Sequence, residues 1–169
     1  MATIDTRRDQ MYPVLNAAQI AIATRFASSA ARDFAPGEMI FAIGQRNAAS
    51  WLVLKGTIAV TRHEGVDRSV SVIRERVGQF SGELSQLSGR ASLAEGRAGP
   101  EGCTALPFDA AHLRALMIGS AEIGEVVMRA FILRRVALLE AGSSGSVLIG
   151  RPGMPDLIRL EDFLRRNSY

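Results

Sequence analysis

The chain has 169 residues, 47% of them hydrophobic and 22% charged, with a formal net charge of +3. That length supports one full core with a fragment of a second domain. The composition excludes intrinsic disorder, and so mild a charge does not by itself argue for nucleic acid as a partner. No run of roughly 18 or more apolar residues occurs, so no membrane span is expected. The opening "MATIDTRRDQMYPVL" is charged early and lacks the apolar core of a secretory signal, so the chain is read as cytoplasmic.

In chain order, "VLNAAQIAIATRFAS" (14–28) spaces Leu15, Ile20, Ile22 and Phe26 among alanines as an amphipathic helix does. From Arg32 to Phe108 the texture changes. The β-rich runs "EMIFAI", "SWLVLKG", "TIAVTRH", "RSVSVIR", "SLAEGRA" and "CTALPF" are separated by glycine turns. Turn signals spaced at about ten residues predict an antiparallel β-barrel or sandwich. "DAAHLRALM" then opens on Asp109, a good N-cap for a short helix. A long helix follows over 121–141, with Ser120 as its N-cap and Gly142 as its stop. Ile123, Val127, Ala130, Leu133 and Ala137 form one apolar side, which Phe131, Ile132, Val136 and Leu139 widen. A helix that apolar needs two partners: its own barrel, and a second subunit or an adjoining domain. Residues 142–146 read as a flexible linker, and 147–169 as the strand and helix that open an α/β segment, with Pro155 and Asp156 starting the helix. Such a unit leaves apolar faces uncovered by itself.

Catalytic and metal chemistry find little support. His63 and His112 are far apart and in no ligand spacing, so no metal site is expected. Cys103 is the single cysteine, which excludes an intramolecular disulfide or a CxxC dithiol, and it reads as a buried, inert thiol. "GSSGS" reads as linker and not as a nucleophile elbow. Arg134 and Arg135 leave two readings open, a face toward a ligand or partner and, the favoured one, a solvated helix face, and Trp51 reads as core or rim packing.

The informative stretch is "GQFSGELSQLSGRASLAEGRA" (78–98): strand, tight glycine turn, a short helical turn, strand. A helix that starts after a glycine turn offers free N–H groups and a favourable dipole to an anion, and Glu83 can accept from a sugar hydroxyl. Strand alternation puts Ala94, Gly96 and Ala98 toward the core and leaves Glu95 and Arg97 solvated.

Gly37 in "APGEMIF", Gly44 in "AIGQ", Gly56 in "VLKGTIAV" and Gly82-Glu83 in "FSGELSQLSG", together with the flanking helices, resemble the cyclic-nucleotide-binding domain over about 11–140. That resemblance implies a mainly β fold: a double-stranded β-helix, or jelly-roll-like β-roll of eight strands, spanning 1–141 and completed by the long C-terminal helix. It implies ligand contacts at Phe80, Gly82, Glu83, Leu84, Arg90, Ser92 and Leu93. More narrowly, "TIDTRRDQMYPVL", "MRAFILRRVALLE" and "VLIGRPGMPDLIRLEDFLRRN" resemble bacterial fusions that place this domain before a thioredoxin-reductase-like flavoenzyme, through a thioredoxin-like segment. The fusion implies FAD, NADPH and a redox CxxC in the reductase part, no catalytic residue or cofactor in this chain, and contact with the reductase domain or a homodimer, with neither nucleic acid nor membrane as partner.

One departure matters. The family's phosphate-binding arginine falls at Ser92, and the small residue after it at Leu93. A charge-assisted hydrogen bond contributes about 1.5–3 kcal/mol, so its loss weakens binding about ten- to more than a hundredfold. Three readings stay open: Arg90 substitutes, the pocket takes a different small ligand, or the pocket is degenerate in a domain kept for interaction. A second function class, the sensor half of a transcription regulator, also stays open, although the tail reads as a β-α start and not as a helix-turn-helix.

Overall fold

A computed structural model describes residues 7–64, 69–82, 91–92, 94–140, 148, 150–151 and 153–166. Helices α1 (Arg8–Met11) and α2 (Ala17–Thr24) precede six strands: β1 (Arg32–Phe34), β2 (Met39–Phe41), β3 (Ser50–Glu64), β4 (Ser69–Arg76), β5 (Phe80–Ser81) and β6 (Glu95–Phe108). Helices α3 (Ala110–Gly119), α4 (Ala121–Glu140) and α5 (Pro155–Arg166) follow.

All pairings are antiparallel, and β3 against β6 forms the spine. Near their 50–56 and 103–108 ends the spine is flanked by β1 on β6 and β5 on β3. Toward the other end it is flanked by β2 on β6 and β4 on β3. Two four-stranded layers therefore share two long strands, which is how a single sheet rolls up. The sequence reading divided each long strand at a glycine and expected eight strands. The described residues form six, because Gly56 and Gly102 bend the chain without ending its pairing, at the cost of register shifts.

Alternation then sorts the core. Trp51, Val53, Cys103 and Ala105 point into the roll, beside Phe34, Phe41, Ile58 and Ala98. Leu52, Leu106 and Phe108 point the other way, onto Leu15, Ala23, Leu113, Leu116, Ile123, Val127 and Phe131 of the N-terminal segment and helices. Phe108, Leu52, Leu113, Leu116 and Ile123 are fully buried, each contributing about 1.5–3 kcal/mol.

Local signals fix the helix starts. The Asn16 side chain accepts from Gln19 N at 2.9 Å while Gln19 Oε1 accepts from Asn16 N at 2.9 Å, a reciprocal capping box that starts α2. Asp109 Oδ1 accepts from His112 N at 2.9 Å and starts α3. Those hydrogen bonds hold the Asp109 carboxyl below its ordinary value. Helix α4 packs across the outer face of the roll through Ile123, Val127, Ala130 and Phe131.

Two side-chain readings change. The buried stripe of α4 runs 123, 127, 130, 131, 134, while Leu133 and Ala137 are half-buried and Ile132 and Val136 are exposed. Arg134, expected in solvent, is 7% exposed, whereas Arg135 is solvated. Helix α5 forms where the tail predicted one. Of the strand expected over 147–150, Leu148 and Gly150 are described and neither lies in a strand. The 142–146 linker lies outside the described residues.

Candidate ligand site

The 78–98 stretch enters from β5, where Phe80 and Ser81 pair with Leu52 and Trp51. Gly82 turns the chain at φ +80, and a Cβ there would meet Ala49 O at 3.0 Å, so the turn needs glycine for both torsion and space. The stretch returns at Ser92, whose N–H donates to Gln45 O at 3.0 Å and whose carbonyl accepts from Gly44 N at 2.8 Å. The structure thus fixes the two ends of the cassette. Glu83, Leu84, Arg90 and Leu93 lie outside the described residues.

Each end carries an identifiable chemistry. Ser92 is 5% exposed, and its hydroxyl donates to Ala94 O at 2.8 Å. In this conformation that hydroxyl has no proton left to offer a ligand. The Phe80 ring packs edge-on against Phe108, with centroids 5.4 Å apart, and belongs to the helix-side core. Between the two ends, inside the roll, sits Phe41. It is 3% exposed, and its ring lies 3.8 Å from where a Cβ of Gly82 would stand. Phe34 and Trp51 extend this aromatic filling, with centroids 5.1 Å apart at 83°. Beyond Ser92, Gly96 and Ala98 are buried and Arg97 is exposed, as alternation predicts, whereas Ala94, expected in the core, and Glu95, expected in solvent, are both half-buried; Arg97 and Glu95 pair at 3.2 Å.

A second constellation escaped the sequence reading. Arg134 donates through Nε to Met11 O at 2.6 Å and through Nη1 to Phe80 O at 3.4 Å. Its guanidinium stands 4.5 Å from the Tyr12 ring centroid, and Nη1 is 3.6 Å from Glu75 Oε1. Burial pushes the Glu75 carboxyl above its ordinary value, against the pull of Arg134. Burial likewise lowers Arg134 and raises the Tyr12 phenol. The position of Arg134 on the 123–127–130 stripe was the available signal, hidden by its charge.

A groove of about 180 Å³ lies beside Gly102, where β6 bends, lined by Asp33, Phe34, Pro36, Lys55, Glu101, Gly102, Cys103 and Thr104. Its polar groups are partly engaged with one another, since Thr104 Oγ1 donates to Asp33 Oδ1 at 2.6 Å. Cys103 is buried, and burial pushes its thiol up to about 11, away from the reactive thiolate.

No protein-family model and no curated protein matches the sequence. Solved structures do match the fold. The catabolite activator protein of Thermus thermophilus is 21% identical, with a TM-score of 0.58 over 79% of this chain and 60% of that one. The chain has a cyclic-nucleotide-binding-like fold. The c-di-GMP-responsive global regulator CLP of Xanthomonas campestris is 16% identical, with a TM-score of 0.58 over 75% of this chain and 60% of that one. The N-terminal domain of a transcriptional regulator from Streptomyces coelicolor A3(2) is 19% identical, with a TM-score of 0.53 over 88% of this chain and 98% of that one. The chain thus spans 60% of the length of the first two. No helix among the described residues is long and apolar enough to cross a membrane.

Proposed function

We propose that this chain is a non-enzymatic regulatory module that senses a small ligand through the 80–93 cassette, in an atypical form lacking the phosphate-binding arginine. The observation that carries the reading is Ser92: it occupies the position of that arginine and is buried, its hydroxyl turned onto Ala94 O. Gly82 and Glu83 supply the turn and carboxylate, Phe80 and Leu84 flank them, and Arg90 is the nearest alternative cation in sequence. The parent is a thioredoxin-disulfide reductase that carries FAD and NADPH in its own part. Support comes from the likeness of the 3–15, 128–140 and 147–167 segments to that fusion, and from Ile158, Leu160 and Phe163, which α5 leaves exposed for another domain to cover.

A second reading, the sensor half of a transcription regulator, is favoured by the similar structures, one named as a global regulator and one as a transcriptional regulator. Reading the coding sequence past residue 169 separates the two: a CxxC with glycine-rich dinucleotide fingerprints supports the reductase, a helix-turn-helix the regulator. Isothermal titration of cAMP and cGMP tests the cassette, with binding weaker than micromolar expected. A degenerate pocket in an interaction domain would bind neither nucleotide, even after the missing charge is restored.

A further inference from the structure

Three strands carry one row of polar side chains on the outer face of the roll. Asp33 of β1 stands opposite Thr104 of β6, and Thr104 stands opposite Lys55 of β3. Cross-strand partners share a face. Here it is the outer face, because Phe34 and Cys103, one position along, point into the roll. Lys55 reaches that face through a bulge. Val53 points into the roll, and plain alternation would put Lys55 beside it in the core. The register shift between Val53 and Lys55 turns the lysine outward instead, and it is exposed.

This row borders the groove of about 180 Å³ beside Gly102. A Cβ on Gly102 would meet Phe34 O at 2.8 Å, so the bend of β6 lies flush on β1 and carries Glu101 to the rim. Phe34, Pro36 and Cys103 supply the apolar part of the lining. Two strand spacings, about 10 Å, separate the backbones of Asp33 and Lys55. Charges of both signs thus line one groove, and among the described residues Asp33, Lys55 and Glu101 make no ion pair. Asp33 Oδ1 instead accepts from Thr104 Oγ1 at 2.6 Å, which orients the carboxylate and leaves Oδ2 to accept from another donor.

The lining decides the class of ligand. The groove is smaller than the about 300–1,000 Å³ of a drug-sized site, so it suits a molecule of few heavy atoms. A lone anion would meet two carboxylates, and a lone cation would meet the chain's single lysine. A zwitterion satisfies both signs at once. We propose that this groove binds a small free amino acid: its carboxylate takes Lys55, its ammonium takes Asp33 and Glu101, and its side chain lies on the apolar lining. The site stands apart from the cassette and requires no ligand there.

Amide NMR of the full chain, titrated with L-valine, tests it. The expected result is a saturable millimolar shift confined to 32–36, 55–56 and 101–104, with none at 80–82 or at Ser92. Acetate offers the carboxylate alone and ethylamine the ammonium alone, and each binds about threefold or more weakly than L-valine. Lys55→Met and Asp33→Asn each weaken L-valine by about threefold or more. Both residues are exposed, so both variants keep the wild-type circular dichroism spectrum. No saturable shift, shifts centred on 80–82, acetate or ethylamine binding as tightly as L-valine, or unchanged affinity in the two variants would each overturn the proposal.

Discussion

Gly56 and Gly102 face each other at the bend of the roll, so close that a Cβ on Gly56 would stand 2.1 Å from Gly102 O. Both have left-handed torsions, φ +71 and +76. Two constraints therefore coincide on one residue, and Gly56→Ala violates both. Left-handed strain alone contributes about 1–3 kcal/mol, and the backbone clash adds to it. The expected outcome is a loss of about 2–4 kcal/mol in urea unfolding, larger than for Gly37→Ala, where φ is +74 but a Cβ meets nothing within 4 Å, so that the torsional strain acts without a clash. Equal losses at the two sites would contradict the role assigned to the bend.

The Cys103 thiol gives the pH prediction. Its folded value, about 11, lies above its ordinary 9.0 because burial disfavours the thiolate. A raised acid holds its proton in the folded state while the unfolded chain releases it, so stability falls as pH rises from 9.0 toward about 11. Tyr12, raised by burial, adds a loss of the same sign at higher pH. Cys103→Ala is expected to flatten the first part of that alkaline decline. At pH 8, folded protein is expected to react with a thiol reagent far more slowly than unfolded protein. Equal rates, or an unchanged decline, would refute the buried, inert reading.

Helix α4 leaves Met128, Ile132 and Val136 exposed at 43%, 56% and 39%, spaced one turn apart along a single stripe. Such a stripe fits a second copy of the same helix. Sedimentation equilibrium is expected to show a dimer, and Ile132→Asp a monomer with an unchanged circular dichroism spectrum. A wild-type monomer at high concentration would reject the dimer. Phe131, which the sequence reading grouped with Ile132, is already covered within the chain.

Much of this fold was legible because it rests on local signals. The glycine-punctuated β runs, the Asp109 cap and the alternation of Gly96, Arg97 and Ala98 each depend on residues a few positions apart. The long strands were miscounted because a glycine at a bulge looks the same in sequence as a glycine ending a strand; only the pairing of β3 with β6 distinguishes them. Arg134 was misplaced for a related reason. Charge predicts solvent unless a partner is known, and its partners, Met11, Tyr12, Glu75 and Phe80, come from three other parts of the chain. The Gly82 turn could be read from the sequence, and the departure at Ser92 is what the family resemblance implies. The turning of the Ser92 hydroxyl onto Ala94 O could be read from neither.

The central claim is that the cassette has the scaffold of a phosphate site without its countercharge. Ser92 is anchored by its own backbone to Gln45 and Gly44, so substitution changes the side chain while the main chain stays pinned. Arginine at that position brings a fixed charge and two parallel donors, and Leu93→Ala removes bulk beside it. Isothermal titration of cAMP into wild type, Ser92→Arg and Ser92→Arg/Leu93→Ala is the most direct test. The account predicts wild-type binding weaker than micromolar and a gain of about tenfold or more in the variants. Micromolar binding by wild type, or affinity unchanged in both variants, would contradict it.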